Sequence, residues 1–508
     1  MVLMLLAGYI AALLILGRKM TAPTLQSFRN GNRRLGFWTI FVMVTALWSS
    51  SLIVVELDAA YRYGISALWY GVSVCVMSVL VSSLMPMFER YHYISNSDLL
   101  GSVFGQGVRR LSALVIGGTF PIFALSNQLA AALFLSTWLH WPLWLSLTAT
   151  TALILASIQF GGILSLARLQ GFNLVVVLAG LFLAGLEIAK TPLPSAPILP
   201  PAFQNWWSTD HGLVMVWFGM NILNVLSAQA EIQTLAAAKN KHDAIWATWL
   251  STLWLGLIIA FSTWLGVRTR ELTGNPHESG LQAFFHLVLA HAHGPVLAIM
   301  GMAMWSLALM WCGPLLFSGA ISVSGDLFGK SSSVSWLRLS LVIEGAVMIL
   351  YGLWRPDQLV WWRVFGLTLR NAAVVGPTLA ALIWGRSFSS RTILTAISCG
   401  IIVALGLNLL AGFSSTHFIL GINPMWASAA ITLVCLSVFQ LARYNPFLAV
   451  IGTVLWSIAT LLLVTFYSSA NVLGILILLS GLLFLWFAYS ATRQSAGLSP
   501  ESSLDSDS

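Results

Sequence analysis

The chain has 508 residues, of which 58% are hydrophobic and only 8% are charged, and its mean hydropathy is +0.87. This composition excludes an ordinary soluble globular protein. The net charge of +8 does not indicate a nucleic-acid partner, because the basic residues are spread among the loops between apolar segments.

About fifteen apolar segments follow one another, each close to the length that crosses the hydrocarbon core of a bilayer. Only helices satisfy their own backbone hydrogen bonds in such a series, so the sequence predicts an all-α polytopic membrane protein. The predicted helices lie near 2–17, 37–55, 65–86, 111–137, 142–159, 168–189, 211–230, 246–266, 295–323, 336–353, 361–384, 391–412, 424–442, 446–467 and 470–490. The first segment is predicted to be a retained helix rather than a signal peptide, because basic residues follow it instead of preceding it.

Basic residues alternate between rich and poor loops, and this pattern predicts the orientation in the membrane. The rich loops carry Arg18, Lys19, Arg29, Arg33 and Arg34; Arg90, Arg109 and Arg110; Lys239 and Lys241; and Lys330 and Arg338. The intervening loops carry few, such as Arg62, Lys190, Arg268 and Arg270. Cytoplasmic loops are enriched in Lys and Arg. An odd number of spans then places the N-terminus outside and the C-terminus in the cytoplasm, for which we expect a bacterial inner (plasma) membrane.

Few features lie outside the apolar segments. Residues 190–210 are predicted to be an outer Pro-rich loop, and 491–508 a disordered cytoplasmic tail. The four cysteines indicate neither a disulfide framework nor a metal site. His286, His291 and His293 indicate an interfacial helix, with a metal cluster as the alternative. Since the sequence has no phosphate-binding loop and no catalytic constellation, we expect neither an enzyme nor ATP-driven transport.

Polar side chains inside the apolar segments are the candidate functional residues, because a polar group in hydrocarbon is costly unless it faces the bundle or a cavity. The alternative for Ser, Asn and Gln is a hydrogen bond between neighbouring helices. The candidates are Thr45 to Ser51, Asn127 with Gln128, Asn221 with Asn224, Glu344, and Arg370 with Asn371.

Five short patterns follow one another along the chain. They are Gly31 to Gly36 (GNRRLG) with Tyr63-Gly64 after it, Phe160 to Ile163 (FGGI), Gln229 to Lys239 (QAEIQTLAAAK), Asp326 to Phe328 (DLF), and Gly376 to Arg386 (GPTLAALIWGR). In this order they resemble motifs of the sodium:solute symporter family. The resemblance implies a LeuT-like fold with inverted five-helix repeats at 37–189 and 211–384. One helix and a cytoplasmic loop over 1–36 would precede the repeats, and four accessory helices over 385–490 would follow.

The same resemblance implies a solute site at mid-membrane, where the first and sixth core helices are broken. The run from Leu47 to Ser51 (LWSSS) is the expected break in the first core helix, because its hydroxyls and small side chains can support unwound backbone.

The sequence departs from the family at the sodium site. The resemblance places the backbone carbonyl ligands near Ala46 and Ser49 and the two hydroxyl ligands at Met310 and Trp311. A thioether and an indole do not provide the oxygen ligands that a hard cation prefers. In addition, Trp48 stands where some members carry an aspartate, and Gln170 ends the run that reads Trp-Thr-Asp in the family. Ser306 would restore a hydroxyl only with a larger gap in the alignment.

Three interpretations of the function therefore stay open. The chain could be a secondary transporter coupled to protons or to nothing, a sodium symporter with altered ligands, or a non-transporting receptor or scaffold. Glu344 and Glu56 are the predicted proton carriers, since burial disfavours the ionised carboxylate. Glu56 could instead reach the outer surface with Asp58, and Glu344 could form an ion pair with Arg370.

We expect a secondary active transporter that carries a small organic solute, either a carboxylate or an amino acid-like molecule, by alternating access. Arg370 lies beside a position that contacts solute in the family, and a buried arginine suits carboxylate recognition. The expected partners are the solute and the lipid bilayer, without nucleic acid; the expected coupling ion is sodium or a proton, and no other cofactor is predicted. The predicted solute-binding residues are Trp48, Ser49, Ser50, Asn127, Gln128, Asn221, Asn224 and Arg370, and the ion-coupling candidates are Ala46, Ser49, Glu56 and Glu344.

Overall fold

The computed structural model describes residues 1–18, 22, 24–193, 199–275, 277–329, 333–356, 359–414, 418–466 and 470–495. Within these ranges the chain forms α-helices joined by short connections. The first ten are α1 (Val2–Arg18), α2 (Leu25–Asn30), α3 (Phe37–Tyr63), α4 (Leu68–Glu89), α5 (Asn96–Phe104), α6 (Gln106–Leu139), α7 (Leu143–Ile158), α8 (Ile163–Lys190), α9 (His211–Asn224) and α10 (Gln229–Ala236). The others are α11 (Lys241–Thr273), α12 (Gly280–His291), α13 (Pro295–Ile321), α14 (Val334–Trp354), α15 (Leu359–Trp384), α16 (Ser390–Leu410), α17 (Pro424–Tyr444), α18 (Pro446–Phe466) and α19 (Ala470–Ser495). Most of the tail predicted to be disordered lies outside the described residues.

The helices confirm an integral membrane protein. Among the described residues, 11 helices are long and apolar enough to cross a membrane, with Phe37–Glu89 counted as one stretch, or up to 12 if the bent pair of α9 and α10 is one span. The helices α1, α7 and α12 are apolar but shorter. Two of these three, α1 and α7, coincide with spans predicted from the sequence.

The chain divides into two compact units. The first contains Met1–Leu99 and Ala113–Gly366, and the second contains Leu100–Ser112 and Leu367–Ser508. In the first unit α3 packs along α11, and α13 packs along α8. In the second unit α17 packs against α16, α18 and α19. The candidate functional residues that the structure brings together lie in the first unit.

Gly162 shows why one of the family-like motifs is needed by the fold. It precedes α8 with a φ of +55°, a conformation that residues with a Cβ rarely adopt. A Cβ at this position would also collide with the carbonyl oxygen and the ring of Phe28 in α2. The glycine therefore lets α2 pack directly against the start of α8.

Candidate functional site

A guanidinium lies within a buried aromatic cluster of the first unit. Arg363 of α15 is 4% exposed, and its Cζ lies 4.7 Å from the ring centroid of Trp311 and 5.4 Å from that of Phe123. Its Nη2 donates a hydrogen bond to Ser51 Oγ of α3. The rings of Trp48 and Trp311 meet with centroids 5.8 Å apart. We call Trp48, Ser51, Phe123, Trp311 and Arg363 the Arg363 cluster.

The Arg363 cluster combines a fixed positive charge with apolar walls. Trp311 is held in place because its Nε1 donates to Phe123 O at 3.2 Å. A desolvated guanidinium over an aromatic face contributes about 2 kcal/mol. Arg363 Nη1 is buried, and none of the described residues accepts a hydrogen bond from it. A guanidinium with an N–H left over suits a carboxylate, which accepts hydrogen bonds from more than one guanidinium nitrogen.

The sequence patterns predict Arg370, rather than Arg363, as the arginine that binds the solute. Arg370 belongs to the second unit, which begins at Leu367 in this helix, and its role in solute binding stays a prediction. Arg363 lies near the beginning of the apolar run of α15, where a long basic side chain usually extends to the membrane surface. Only its contacts reveal that this arginine is directed into the bundle.

The predicted break in the first core helix is wrong. α3 is one continuous helix from Phe37 to Tyr63, and it passes through Leu47 to Ser51 without interruption. Its serines bond in ways that helical geometry allows, since Ser50 Oγ donates to Leu47 O at 3.0 Å within the helix. A serine can bond to its own helix as readily as it supports an unwound turn. The composition of this run therefore does not decide its backbone.

The predicted break in the sixth core helix is confirmed, because α9 and α10 meet at an angle of 47°. Two asparagines at the end of α9 attach this break to α4. Asn221 Nδ2 donates to Ser73 Oγ at 2.8 Å, and Asn224 Nδ2 lies 3.2 Å from Met77 Sδ. Both predicted solute-binding asparagines are therefore bonded to a neighbouring helix.

Glu231 is a buried carboxylate in the first turn of α10. It is 1% exposed, and Ser78 Oγ of α4 donates to its Oε1 at 2.5 Å. The Trp48 indole of the Arg363 cluster lies beside the carboxylate. Within the described part of the chain, neither Trp48 Nε1 nor Glu231 Oε2 makes a hydrogen bond of normal geometry. In the sequence, Glu231 is distinguished as the single acid between Gln229 and Gln233 of the family-like motif.

The two amide side chains predicted on α6, Asn127 and Gln128, contact different helices. Asn127 Nδ2 donates to Ser50 O at 2.9 Å and so contacts α3. Gln128 Nε2 donates to Leu147 O at 3.2 Å and to Thr151 Oγ1, which directs this amide to α7. Only Asn127 contacts the helix that carries Trp48.

The positions that the resemblance assigns to sodium ligands lie on α3 and α13. Ala46 and Ser49 are buried on α3, and Ser49 Oγ has no hydrogen-bond partner among the residues described. On α13, Trp311 belongs to the Arg363 cluster, and Met310 O accepts a hydrogen bond from Gln170 Nε2 of α8 at 3.0 Å. An amide N–H therefore already contacts the Met310 carbonyl.

Ser306, the hydroxyl that a larger alignment gap would bring to the sodium site, lies in a different polar cluster. Tyr9 of α1 and Ser306 of α13 have their hydroxyl oxygens 2.7 Å apart. Asn173 Oδ1 of α8 accepts hydrogen bonds from both hydroxyls, each at 3.1 Å. These bonds attach α1 to the bundle.

Glu56 is fully buried, so the alternative in which it reaches the outer surface is wrong. Thr263 Oγ1 of α11 donates to Glu56 Oε1 at 3.0 Å, while Oε2 is without a partner in the described ranges. Asp58 is the residue near the surface, where it lies 3.3 Å from Arg62 Nε and accepts a hydrogen bond from Ser279 Oγ at 2.9 Å.

Glu344 of α14 lies against two glycines. A Cβ on Gly319 of α13 would lie 2.7 Å from Glu344 Oε2, and one on Gly117 of α6 would lie 3.3 Å from Oε1. The residues that the structure describes provide no hydrogen bond to Glu344 Oε2. The ion pair with Arg370 of the second unit stays a prediction.

The family-like residues Gln229 and Gln233 form a hydrogen-bond network along α10, with Gln229 at the first position of the helix and Gln233 one turn further on. Gln229 Nε2 donates to Ser318 O at 2.9 Å and to Ser322 Oγ at 3.1 Å, and its Oε1 accepts from Asn96 N at 2.8 Å. Gln233 Nε2 donates to Ile94 O at 2.8 Å. We call these bonds the Gln229 network; they join α10 to the end of α13 and the turn after it, and to the start of α5 and the segment before it.

Asp326 extends the Gln229 network. Its Oδ2 accepts hydrogen bonds from Ser95 Oγ at 2.6 Å and from Ser97 Oγ at 2.7 Å. Asp326 lies in a π-helical turn, Ser322–Leu327, and such turns often occur at functional sites. Burial lowers the pKa of the nearby Arg29 guanidinium, and the charges of Asp326 and Asp98 act in the opposite direction. The motif of Asp326 therefore joins three segments at one place.

The histidines are not gathered at one point. His286 pairs with Glu278 at 2.8 Å, while His291 Nδ1 lies 2.9 Å from Leu287 O and His293 Nδ1 lies 2.9 Å from His291 O. No group of three or more His, Cys, Asp or Glu side chains within the described ranges could hold a metal ion.

Comparison with solved structures identifies the fold. A Na⁺-coupled sialic acid symporter, solved in a substrate-bound outward-open state, aligns with a TM-score of 0.68 and 14% sequence identity. The alignment covers 85% of this chain and 96% of the symporter. The chain therefore has the LeuT-like fold of inverted five-helix repeats, with one helix before them and α16 to α19 after them, as the sequence predicts. The class is that of integral membrane proteins with a LeuT-like fold.

Sequence comparison finds similar proteins among characterised transporters. No family model matches the sequence. The sequence is 24% identical over 261 residues to the sodium/iodide cotransporter of Homo sapiens, and 23% identical over 263 residues to the sodium-coupled monocarboxylate transporter 2 of Mus musculus. Each match covers 48% of this chain, and the two cover 40% and 42% of the relatives, so the chain matches less than half the length of these proteins. The resemblance to the sodium:solute symporter family is confirmed, and these relatives are transporters rather than enzymes.

Proposed function

We propose that this protein is a secondary active transporter that carries a small organic carboxylate or an amino acid-like solute across a membrane by alternating access. The LeuT-like fold supports alternating access around a site at mid-membrane. The whole proposal concerns the full chain, of which the curated relatives match about half.

The observation that carries the proposal is Arg363 with its unused Nη1 inside the aromatic cluster. A buried charge without a counter-charge is costly, and an anionic ligand removes that cost. The indoles of Trp48 and Trp311 offer apolar surface for the rest of the solute. The names of the relatives also include anionic solutes, iodide and monocarboxylates, which agrees with a positively charged site.

The chain is proposed to work without the family's usual sodium site. Met310 and Trp311 supply no hydroxyl, and the bond from Gln170 Nε2 occupies the Met310 carbonyl. The coupling ion would then be a proton, with Glu56 and Glu344 among the candidates for carrying it. A sodium symporter with altered ligands is the second candidate, which the names of the relatives favour.

The arrangement in the membrane is also part of the proposal. The repeats would lie at 37–189 and 211–384, with the N-terminus outside and the C-terminus in the cytoplasm of a bacterial inner (plasma) membrane. The alternation of basic residues between loops supports this orientation. The Gln229 network, next to the basic loop that holds Lys239 and Lys241, would then close the cytoplasmic end of the path.

The test is uptake by proteoliposomes of a pool of small carboxylates and amino acids under a sodium gradient, a proton gradient or neither. We expect uptake of carboxylates under a proton gradient, and loss of that uptake in Arg363→Gln. The matched control is Arg391→Gln, because Arg391 is exposed at the start of α16. Binding of a carboxylate without uptake under all three conditions would mean that the protein is a receptor or scaffold.

A further inference from the structure

Glu231 and Arg363 contact the same pair of indoles. Arg363 lies over Trp311, Trp311 meets Trp48, and Trp48 lies beside Glu231. A chain of three contacts connects the proposed anion site to a buried acid.

Among the described residues, none donates a hydrogen bond of normal geometry to Glu231 Oε2. Oε1 already accepts a hydrogen bond from Ser78 Oγ. An ionised carboxylate that is 1% exposed in apolar surroundings is costly unless a cation or further donors compensate its charge. The site therefore calls for a positively charged partner at Oε2.

The surroundings of Glu231 favour a proton over a larger cation. Sodium requires several oxygen ligands, and an ammonium group requires several acceptors. The contacts of the carboxylate supply one further oxygen, that of the Ser78 hydroxyl, and the Trp48 indole N–H, which cannot ligate a cation. A proton needs only one oxygen and no further ligand.

Ionisable groups on the elements packed against α10 have other contacts. The Glu56 carboxylate of α3 accepts a hydrogen bond from Thr263, the Asp243 carboxylate of α11 accepts one from Asn240 Nδ2, and Arg29 of α2 lies near Asp326 and Asp98. On α4, Cys75 Sγ lies 3.9 Å from Thr252 O, and α13 carries no Asp, Glu, Lys, Arg or His. The side chains that contact the Glu231 carboxylate, those of Ser78 and Trp48, are uncharged.

We propose that Glu231 is a proton-binding site whose occupancy is linked to anion binding at Arg363 through the Trp48–Trp311 pair. This proposal rests on the proposed function and adds a coupling site to it. A proton at Glu231 balances the negative charge of an anion at Arg363, so the two together add no net charge to the protein. In each cycle one proton adds to Oε2 from one side of the membrane and leaves from Oε2 to the other, and no other bond changes. Glu231 lies in the first turn after the 47° bend between α9 and α10. Its proton would therefore lie at the point where these two helices can move relative to each other.

The first experiment uses the full-length protein in detergent and does not require transport. Infrared difference spectra recorded across a pH titration should contain a carboxyl band that disappears in Glu231→Gln. The same band should persist in Glu187→Gln, which changes a glutamate at the end of α8 beside Lys190. By linkage, added propionate should shift the midpoint of the titration in the wild type but not in Arg363→Gln. Absence of a titrating Glu231 band in the folded protein would overturn the proposal.

The second experiment separates this proposal from the proposed function. In proteoliposomes, Glu231→Gln should exchange internal for external propionate but should no longer concentrate it under a proton gradient. Unchanged proton-driven concentration in this variant, or concentration driven by sodium alone in the wild type, would overturn the role of Glu231 and leave the transporter proposal standing. If the wild type takes up no carboxylate while the Glu231 band still titrates and still shifts with propionate, the proposed function fails and the proton site remains.

Discussion

Gln170 Nε2 donates a hydrogen bond to Met310 O at 3.0 Å and so joins α8 to α13. The resemblance to the sodium:solute symporter family places an aspartate of the family near Gln170 and a sodium-binding hydroxyl at Met310. By that resemblance, a neutral amide stands in this chain where the family carries an acid. The amide N–H joins the two helices directly.

The first prediction concerns sodium and stability. A ligand that binds only the folded protein at a concentration 100 times its Kd raises the free energy of unfolding by about 2.7 kcal/mol. Because we propose that the chain works without the family's usual sodium site, we expect the same thermal unfolding temperature in sodium chloride and in potassium chloride. The measurement is a thermal scan of the purified protein at matched ionic strength. A higher unfolding temperature in sodium alone would show that the ion site has moved rather than disappeared.

The second prediction concerns the geometry of Arg363. Lysine keeps the positive charge but loses the planar fork that stacks on Trp311 and bonds Ser51. Loss of one charge-assisted hydrogen bond costs about 1.5–3 kcal/mol, which corresponds to a decrease of roughly 10- to 100-fold in affinity. We expect Arg363→Lys to weaken propionate binding by this amount, measured by calorimetry, and Arg363→Gln to weaken it further. Equal affinities in wild type and both variants would exclude Arg363 from the solute site.

The third prediction concerns the Gln229 network. Gln229→Ala removes two donated hydrogen bonds and leaves Ser318 O, Ser322 Oγ and Asn96 N without this partner. Buried groups that lose a partner cost about 1–3 kcal/mol each, so we expect a lower thermal unfolding temperature. If the network also closes one end of the path, a cysteine introduced at Ser318 should react faster with a soluble maleimide in the Gln229→Ala background.

The control for that experiment is Gln204→Ala, since Gln204 is exposed in the segment between α8 and α9. It should change neither the unfolding temperature nor the rate of labelling. Labelling at equal rates in all backgrounds would mean that the network stabilises the fold without gating access.

The fourth prediction concerns Tyr9. Tyr9→Phe keeps the ring stacked 6.4 Å from Trp305 but removes the hydroxyl shared by Asn173 and Ser306. We expect a loss of about 1–3 kcal/mol in the free energy of unfolding, measured with denaturant. Tyr444→Phe, which changes a tyrosine that is 46% exposed, should leave stability unchanged. A similar effect of both substitutions would contradict the role of the cluster around Tyr9.

The sequence predicts the helices and the residues of the family-like motifs more reliably than it predicts the site. Gly162, Gln229 and Asp326 stand in short local patterns, and each of them makes the close contact that its motif needs. Helix length and apolar composition are also local properties, so the spans follow from them directly.

The site depends on which helices meet, and that information is not local. Arg363 resembles a surface anchor until α15 is packed against α3, and Glu231 is one acid in a run of amides until Trp48 is placed beside it. The sequence does not determine the backbone conformation of Leu47 to Ser51 for the same reason, because serine suits both a helix and a break. In each case a partner distant in the sequence decides the role.

The segment before α3 is paired with the end of α10 through two backbone hydrogen bonds, from Leu35 N to Ala237 O at 3.1 Å and from Lys239 N to Leu35 O at 2.8 Å. Two spectroscopic probes attached at Asn32 and Asn240, one on each side of this pairing, would keep a constant separation while the pairing lasts. They would serve as the internal reference in a distance measurement, against which a third probe elsewhere in the first unit reports motion during a transport cycle.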